Sequence, residues 1–378
     1  MQDAVAVRIW KDSMIVKEKL RTGASLSQRK DNRRMDIRNL SPGENGKTRA
    51  LYEEVFEEDS KGFVDYYYME KTKDNQIYVI EEDEAIRAML HLNPYHLYVN
   101  GSEKEVNYIV AVATQKEYRK RGYMANLLKQ ALRDEYRDGK TFTFLMPASE
   151  SIYIPYDFRT VYEQNKRVYC EQKENEMQQK DDFLVVEDAK EKDCKELAEF
   201  ANSYLLGQYQ VFAIRDSAYY QRLIKEYASD GGSLKIYRKE GKITDCLGWY
   251  PEETAEEKEK PKIMVRIVDV RRMLMSLSLR SLMSTCFCVT DPIIVENNRC
   301  VVITGTEFSG VMLMDGKLEN SEGTITVAAL ASLVFGAKTV EEVCQEEGVE
   351  MSERMKAEMK KIIPLSKIYL NEVVSEFS

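Results

Sequence analysis

The sequence predicts three folded sections in one chain, two of α/β class and a third of α+β class. The chain has 378 residues, which is more than one hydrophobic core usually serves. Over most of its length, segments with alternating apolar residues are interleaved with segments of helical period. After about residue 263 the order changes to short strands followed by helices, which is typical of an α+β domain.

The first section, residues 35–170, has the predicted order β-α-α-β-β-β-α-β around a central sheet. "MDIRNL" alternates as a strand, and "SPGE" ends it and starts a helix. "QIYVIEED" and "AIRAMLHLNPYHLYVN" form a hairpin, and "EVNYIVAVAT" is a further strand. The helix after Gly122 has Leu127, Leu128, Ala131 and Leu132 on one face. "KTFTFLMPA" is the last strand.

The other sections follow the same reasoning. Residues 171–262 contain a strand at "FLVVED", helices at "CKELAEFANSYL" and "SAYYQRLIKEYAS", and a hairpin in "SLKIYRKEGKITDCLGWY". Residues 263–378 contain short strands with turns at "NN" and "DGK", and then helices such as "VAALASLVFG". Residues 1–34 are too polar to pack, and we expect a flexible arm there or sequence upstream of a start at Met35, with a basic nucleic-acid tail as the functional alternative.

Composition limits the function classes. The formal net charge is −9, which argues against nucleic acid as a partner. No apolar run approaches the roughly 20 residues that span a bilayer, and the N-terminus lacks a signal-peptide pattern. We therefore expect a cytoplasmic protein that binds neither nucleic acid nor membrane.

Cysteine and histidine usage argues against a metal centre. The seven cysteines are scattered and include no C-x-x-C pair, so we expect reduced, packed thiols rather than disulfides or zinc ligands. His91 and His96 are the two histidines, and we expect both on a strand or its bulge; a role as part of a site is the alternative. The sequence therefore predicts no metal cofactor.

One stretch, "VAVATQKEYRKRGYMANLLKQAL" at residues 110–132, indicates an anion site. A buried strand leads through Arg119, Lys120 and Arg121 to Gly122, where a helix begins. The first backbone N–H groups of a helix have no intrahelical partner and bind phosphate well. A solvated helix start with surface Lys and Arg is the alternative interpretation.

These residues resemble motif A of the GNAT acyl-CoA N-acyltransferases. In that motif a strand is followed by the pattern [Arg/Gln]-x-x-Gly-x-[Gly/Ala]. Arg119 and Gly122 match, whereas Met124 departs from the last position and Ala125 comes one later. A bulky residue there is similar to the Eis (enhanced intracellular survival) branch. "KIMVRIVDVRRML" and "VVITGTEFSGVMLMDGKLENSEGTITVAALASLVFG" extend the resemblance to residues 35–378.

The resemblance implies tandem GNAT domains, the second degenerate, followed by a sterol-carrier-like domain over residues 263–378. It also implies acetyl-CoA as co-substrate and a homo-oligomer, a hexamer in the Eis branch. Backbone groups from Arg121 to Ala125 would hold the pyrophosphate, and the strand edge at Val112–Thr114 would pair with the pantetheine arm. The implied cofactor set is Val112, Ala113, Thr114, Arg119, Lys120, Arg121, Gly122, Tyr123, Met124, Ala125, Ser149 and Glu150.

The resemblance also implies the proton carriers. "SESIYIPYDF" is similar to the Eis motif "SEGGIYGRFGYG" and puts Tyr153 at the general-acid position. Ile154, Pro155 and Asp157 depart from it, Tyr156 is a competing acid, and core packing is the alternative role for both rings. The implied base is the chain's C-terminal carboxylate, on Ser378; an ordinary terminus, with a bound water or Glu150 as base, is the alternative.

The expected activity is therefore acetyl transfer to primary amines of an aminoglycoside-like polycation or of lysine side chains. Asp65, Tyr66, Tyr67 and Glu70 are candidates for an acidic, aromatic acceptor cleft, or else for a helix with a buried aromatic face. Two other functions stay open. One is a non-catalytic acyl-CoA or lipid-binding protein that uses the sterol-carrier-like section. The other is a regulator that senses acetyl-CoA without turnover.

Overall fold

The computed structural model describes residues 36–164, 184–251 and 260–370. The predicted arm at residues 1–34 and the proposed base on Ser378 lie outside the described residues. Within the described ranges, no helix is long and apolar enough to cross a membrane.

Among the described residues, a nine-stranded mixed sheet forms the centre of the molecule. Its main path runs through β1 (Ile37–Asn39), β2 (Gln76–Glu82), β3 (Ala85–Val99), β4 (Ser102–Thr114), β5 (Phe142–Leu145), β11 (Lys262–Ile267) and β6 (Arg159–Glu163), in that order. The predicted strands and helices of the first section are confirmed, and a further strand, β6, follows them. The elements of this section are β1 (Ile37–Asn39), α1 (Arg49–Val55), α2 (Lys61–Glu70), β2 (Gln76–Glu82), β3 (Ala85–Val99), β4 (Ser102–Thr114), α3 (Tyr123–Arg137), β5 (Phe142–Leu145), α4 (Glu150–Tyr153) and β6 (Arg159–Glu163).

The second section forms a small unit of its own and also contributes one strand to the central sheet. Its hairpin pairs with β7 in a three-stranded sheet of order β10-β9-β7, and both helices pack on it around Leu197, Leu223 and Ile236. The short β8 pairs instead with β3. The elements are β7 (Leu184–Asp188), α5 (Cys194–Gln208), β8 (Val211–Ala213), α6 (Ser217–Ser229), β9 (Ser233–Lys239) and β10 (Lys242–Trp249).

The third section has a five-stranded sheet of order β15-β14-β13-β16-β17. Helix α8 is buried along its whole length, which explains why "VAALASLV" carries no polar face. The elements are β11 (Lys262–Ile267), α7 (Val270–Leu274), β12 (Ser278–Leu279), β13 (Met283–Thr290), β14 (Arg299–Thr306), β15 (Gly310–Asp315), β16 (Gly323–Thr326), α8 (Val327–Val334), α9 (Val340–Val343), β17 (Glu350–Met351), α10 (Glu353–Met359), β18 (Ile362–Ile363) and β19 (Ile368–Tyr369).

The position of strand β11 in the sheet could not be predicted from its position in the sequence. The sequence puts it at the boundary between the second and third sections, but the structure inserts it between β5 and β6 of the first sheet. It is antiparallel to both, with Val265 opposite Phe144 on one side and Arg159 on the other. The first sheet is therefore completed by chain that comes after the whole second section, while the division into three domains stays a prediction.

The cysteines differ in part from expectation. Cys288 on β13 and Cys300 on β14 lie directly opposite each other and form a disulfide across a sequence separation of 12 residues. The expectation of reduced thiols throughout was wrong because it considered spacing along the chain and not the hairpin register. Cys194, Cys246, Cys286 and Cys344 are free thiols.

The prediction for the histidines is confirmed. His91 and His96 both lie on β3, and the register of β3 with β4 shifts next to His91. His91 is completely buried, and its Nδ1 lies 2.9 Å from the Tyr67 hydroxyl.

Candidate active site

A gap opens between the parallel strands β4 and β5. They pair only at Asn107 with Thr143 and at Tyr108 with Phe144. Strand β5 ends at Leu145, whereas β4 continues to Thr114. Among the described residues, the β5-facing edge of β4 beyond Tyr108 therefore has no strand partner. Its unpaired amides and carbonyls are free to pair with an extended ligand.

The predicted strand edge, Val112 to Thr114, lies along this gap. On its other side it pairs with β3, with Met89 opposite Ala113 and Ala88 opposite Thr114. Ala111 has φ +50°, so β4 bends at a bulge immediately before these three residues.

Helix α3 begins beside the gap. Gly122 is its N-cap, with φ +83° and ψ 8°. The first helical hydrogen bond runs from the Asn126 amide to the Gly122 carbonyl at 3.0 Å. The backbone N–H groups of Tyr123, Met124 and Ala125 therefore have no partner within the helix and mark its positive end. These are the groups predicted to hold a phosphate.

The three basic residues before Gly122 are exposed, and none forms a salt bridge with a described acidic residue. The Arg119 Nε donates to the Thr114 carbonyl at 3.1 Å, which ties the loop to the end of β4. The Arg121 guanidinium lies 4.5 Å from the centre of the Tyr118 ring. The loop therefore presents a net positive charge next to the unpaired amides, which favours an anionic ligand.

Tyr123 contributes to this site through its backbone. Its ring is buried under α3, and its hydroxyl donates to the Glu82 carboxylate. The side chain thereby anchors the first turn of the helix to β2.

Tyr153, the predicted acid, ends the short helix α4 beyond β5. Its ring is buried in the apolar cluster that also contains Tyr123 and Leu127 of α3. No described residue forms a hydrogen bond with its hydroxyl. Burial raises the pKa of the Tyr153 phenol well above its ordinary value, so the group stays protonated at neutral pH. The structure thus brings the acid candidate and the start of α3 into one cluster.

Ser149 and Glu150 stand at the start of α4 and are occupied by neighbours. The Glu150 carboxylate accepts from the Thr160 hydroxyl and, at 2.9 Å, from the Lys262 ammonium. The hydrogen bond from Thr160 and then the one from Lys262 hold the pKa of Glu150 below its ordinary value. A carboxylate held in this way is a weak base, so the geometry does not favour Glu150 in that role. The Ser149 hydroxyl lies 2.9 Å from that of Ser151.

The residues suggested for the acceptor cleft do not line one, and that interpretation was wrong. Tyr66 and Tyr67 are buried, and the Tyr66 hydroxyl donates to Glu226 of α6 at 3.1 Å. Asp65 accepts from Arg49 at 2.5 Å, and Glu70 pairs with Lys73 and Lys225. The alternative, a helix with a buried aromatic face, is what the structure shows.

Sequence reasoning missed two basic residues of β11 that contact the segment carrying Tyr153, namely Lys262 and Arg266. The signal was present, because a buried-strand pattern such as "KIMVRIV" does not usually contain an arginine.

The last described residues approach the same sheet. Tyr369 on β19 pairs with Phe212 of β8, and the Leu370 amide donates to the Tyr162 hydroxyl on β6 at 3.1 Å. Leu370, the last described residue, therefore lies against β6 at one edge of the first sheet.

Comparisons with known proteins concern the fold that carries this site. Residues 36–161 match the family model described as the acetyltransferase (GNAT) domain. This range corresponds to most of the first predicted section and includes β4, the basic loop, α3 and Tyr153. No curated protein matches the chain.

Three solved structures resemble almost the entire chain. A crystal structure from Enterococcus faecalis V583, described as a "Probable N-Acyltransferase", has 15% identity and a TM-score of 0.68, covering 90% of this chain and 100% of that one. A GCN5-related N-acetyltransferase from Anabaena variabilis ATCC 29413 has 15% identity and a TM-score of 0.69, covering 89% and 99%. Eis1 from Mycobacterium abscessus has 12% identity and a TM-score of 0.62, covering 87% and 97%.

At these identities the likeness concerns the fold. The chain has a mixed α/β fold of the GNAT acetyltransferase type, and it shares this fold with structural neighbours that include an Eis protein.

Proposed function

We propose that the protein is an acetyl-CoA-dependent N-acetyltransferase that acts on primary amines. The observation that carries the proposal is the juxtaposition of three features: the open edge of β4, the unpaired amides at the start of α3, and the buried Tyr153. Acyl transfer needs a held thioester, a neutral amine and a proton for the leaving thiolate.

The first two features fit the cofactor. The diphosphate of acetyl-CoA would accept hydrogen bonds from the amides of Tyr123, Met124 and Ala125, with Arg119, Lys120 and Arg121 supplying positive charge. The pantetheine arm would lie in the gap and pair with Val112–Thr114 as an added strand does. Ser149 and Glu150 would border the arm from the other side of the gap.

The chemistry is a direct attack. The amine nitrogen forms a bond with the thioester carbonyl carbon as the carbon–sulfur bond breaks, and the leaving sulfur takes a proton from the Tyr153 hydroxyl. The amine loses a proton to a base, and Tyr153 is then reprotonated from solvent. The Tyr153 phenol is protonated at neutral pH and therefore carries a proton that it can give to the sulfur.

We propose the Ser378 carboxylate as the base. Leu370 is fixed against Tyr162 at the first sheet, and the eight residues after it reach at most about 29 Å when extended. This reach supports the proposal; Tyr156 is the alternative acid, and a bound water is the alternative base.

The acceptor, the assembly and the domain identities are also proposals, and they rest on the resemblance to the Eis branch. The acceptor is an aminoglycoside-like polycation or a lysine side chain, and the assembly is a cytoplasmic homo-oligomer, a hexamer as in the Eis branch. The third section is proposed to be sterol-carrier-like and the second a degenerate GNAT domain.

The test is a panel of amines with detection of released thiol. The panel contains kanamycin-type compounds, polyamines and lysine peptides, each offered with acetyl-CoA to the wild type and to Tyr153→Phe. We expect release with at least one amine and a kcat about 10²–10⁴-fold lower in Tyr153→Phe, with the KM for acetyl-CoA little changed. Phenylalanine keeps the ring that packs on Phe158, so the loss reports the hydroxyl.

Two outcomes would contradict the proposal. Absence of thiol release with every amine would remove the enzyme assignment and leave a non-catalytic binding protein. Thermal shifts with acetyl-CoA and with a fatty acid would then show whether that protein binds acyl-CoA or lipid. Full activity in Tyr153→Phe would remove Tyr153 as the acid.

A further inference from the structure

Strand β11 holds both ends of the segment that carries Tyr153. Lys262 and Arg266 are four residues apart on this strand and so lie on the same face of the sheet. Lys262 donates to Glu150 at the start of the segment, at 2.9 Å. Arg266 Nε donates to the Tyr156 carbonyl at its other end, at 3.3 Å. Between the two, Met264 packs in the same apolar cluster as Tyr153.

Arg266 is completely buried, and it stands where strand pairing gives way to the loop. Its neighbour Val265 is opposite Arg159, the first residue of β6, so Arg266 lies beside the loop that precedes β6. Its Nη1 donates to the Ile267 carbonyl at 2.5 Å, and its Nη2 lies 3.8 Å from the Asp157 carboxylate. The guanidinium thus contacts two successive residues of the loop, Tyr156 and Asp157.

Asp291, from the loop between β13 and β14, fixes the arginine. Its Oδ1 accepts from Arg266 Nη2 at 2.6 Å and from the Ile293 and Ile294 amides at 2.8 and 2.9 Å. Its Oδ2 accepts from Asn297 Nδ2 at 2.9 Å. These four donors hold the Asp291 carboxylate in one orientation, and the carboxylate is fully buried. Ile293 and Ile294 belong to the cluster around Tyr153.

We propose that Arg266, held by Asp291 of the third section, is a positioning residue that fixes the loop from Tyr153 to Phe158 and thereby aims the Tyr153 hydroxyl. This inference rests on the proposed function, in which Tyr153 is the acid. The loop needs such a support because Asp157 has φ +66°, a backbone conformation that side-chain-bearing residues rarely adopt.

A purely stabilising role explains the pair less well. Burying two charges costs desolvation free energy that their attraction only roughly offsets, so apolar residues of similar size stabilise a core as well or better. The planar guanidinium, in contrast, contacts two backbone carbonyls and two carboxylates in a fixed geometry, which an apolar side chain cannot do. The pair therefore gives the loop one geometry.

The test is a double-mutant cycle with steady-state kinetics on the full chain. Arg266→Lys and Asp291→Asn are each made in the wild type and in Tyr153→Phe. A misplaced catalytic group costs on the order of 10²-fold, so we expect that loss of kcat in the wild-type background, with the KM for acetyl-CoA little changed. In the Tyr153→Phe background we expect no further loss, because the residues act through the hydroxyl that is already absent.

Arg238→Lys is the matched control. Arg238 lies in the second section and pairs with Glu187, Asp193 and Glu196 at 2.8–3.0 Å. Its replacement disturbs a comparable charge network away from the loop, and we expect kcat to stay within about twofold of the wild type.

Equal losses of kcat in both backgrounds would overturn the proposal, because they would show a general effect on the fold. If circular dichroism shows that the variants of Arg266 or Asp291 do not fold, the same cycle is run with Asp157→Asn. This substitution changes the contact between Arg266 and the loop at a side chain that is 17% exposed, whereas Arg266 is completely buried. Failure of the acid assignment appears separately, as full activity of the Tyr153→Phe single variant, and it would refute the positioning role as well.

Discussion

At the scale of single residues, Gly122 is the position in the site where the backbone conformation most strongly requires glycine. Its φ of +83° turns the chain from the basic loop into α3 and so directs the amides of Tyr123, Met124 and Ala125. A β-carbon on Gly122 would have room, since its nearest neighbour would be the Asn126 side-chain nitrogen at 3.7 Å. The requirement is therefore conformational, and it does not come from a collision within the protein.

Gly122→Ala is accordingly expected to weaken acetyl-CoA binding and to lower the free energy of unfolding by about 1–3 kcal/mol, the usual range for a strained backbone conformation. Relaxing that strain rotates the amides away from the ligand. Titration calorimetry gives the affinity, and urea denaturation gives the stability.

Gly207→Ala is the control for this substitution. Gly207 lies near the end of α5, and its added β-carbon would have no neighbour within 4 Å. Its stability should rise by up to about 1 kcal/mol, and its affinity should not change. Equal affinities in Gly122→Ala and Gly207→Ala would contradict the role given to Gly122.

Individual residues also show what a sequence can and cannot reveal. Arg119, Gly122 and Tyr153 could be proposed from the sequence because the loop and the short motif are each contiguous in the chain. Tyr66 and Glu70 were misjudged because the sequence does not show their contacts with Glu226 and Lys225, about 160 positions away. Residue type alone does not distinguish an open acidic cleft from a packed interface.

At the scale of elements, helix α3 begins at the candidate site and packs in the core near its end. Glu135, in its last turn, is buried against β4, and its Oε1 accepts from Asn107 Nδ2 at 2.9 Å. Its other oxygen is buried and has no hydrogen-bond partner among the described residues. Burial raises the pKa of Glu135 to about 8, so its side chain is neutral in the folded protein at pH 7.

The buried Glu135 makes the protein less stable as the pH rises. Between about pH 4.3 and pH 8 the unfolded chain has ionised Glu135, whereas the folded protein keeps its proton. The folded state thus binds more protons, and this contribution to stability is lost as pH rises through that window, by at most about 1.4 kcal/mol per pH unit. Glu135→Gln should remove this slope, because the amide keeps the acceptor for Asn107 and cannot ionise.

Urea denaturation of the wild type and Glu135→Gln across the same window measures the difference in slope. Glu199→Gln, an exposed substitution on α5, is the control and should follow the wild type. A Glu135→Gln slope that matches the wild type would show that Glu135 is ionised in the folded protein.

Most elements were predictable because their signals are local. The alternation in "EVNYIVAVAT" and the helical period after Gly122 gave β4 and α3 correctly. The short strands β8 and β19 gave no such signal, since three and two residues carry no period. The gap between β4 and β5 also escaped prediction, because it depends on where two distant strands stop pairing.

At the scale of the whole molecule, the three sections are interleaved. The central sheet takes β8 from the second section and β19 from the third, and β11 enters it after a detour of about 100 residues through the second section. Sequence order alone predicts consecutive domains, because neighbouring strands usually pair. This interleaving also explains how Arg266 and Asp291 reach a loop that precedes them by more than 100 positions.

A crystal structure of the protein with coenzyme A tests the central claim most directly. The account predicts diphosphate oxygens about 3 Å from the amides of Tyr123–Ala125, the pantetheine arm paired with Val112–Thr114, and the sulfur beside the Tyr153 hydroxyl. A ligand bound elsewhere, or a diphosphate that contacts only the exposed Arg and Lys side chains while the gap stays empty, would contradict it.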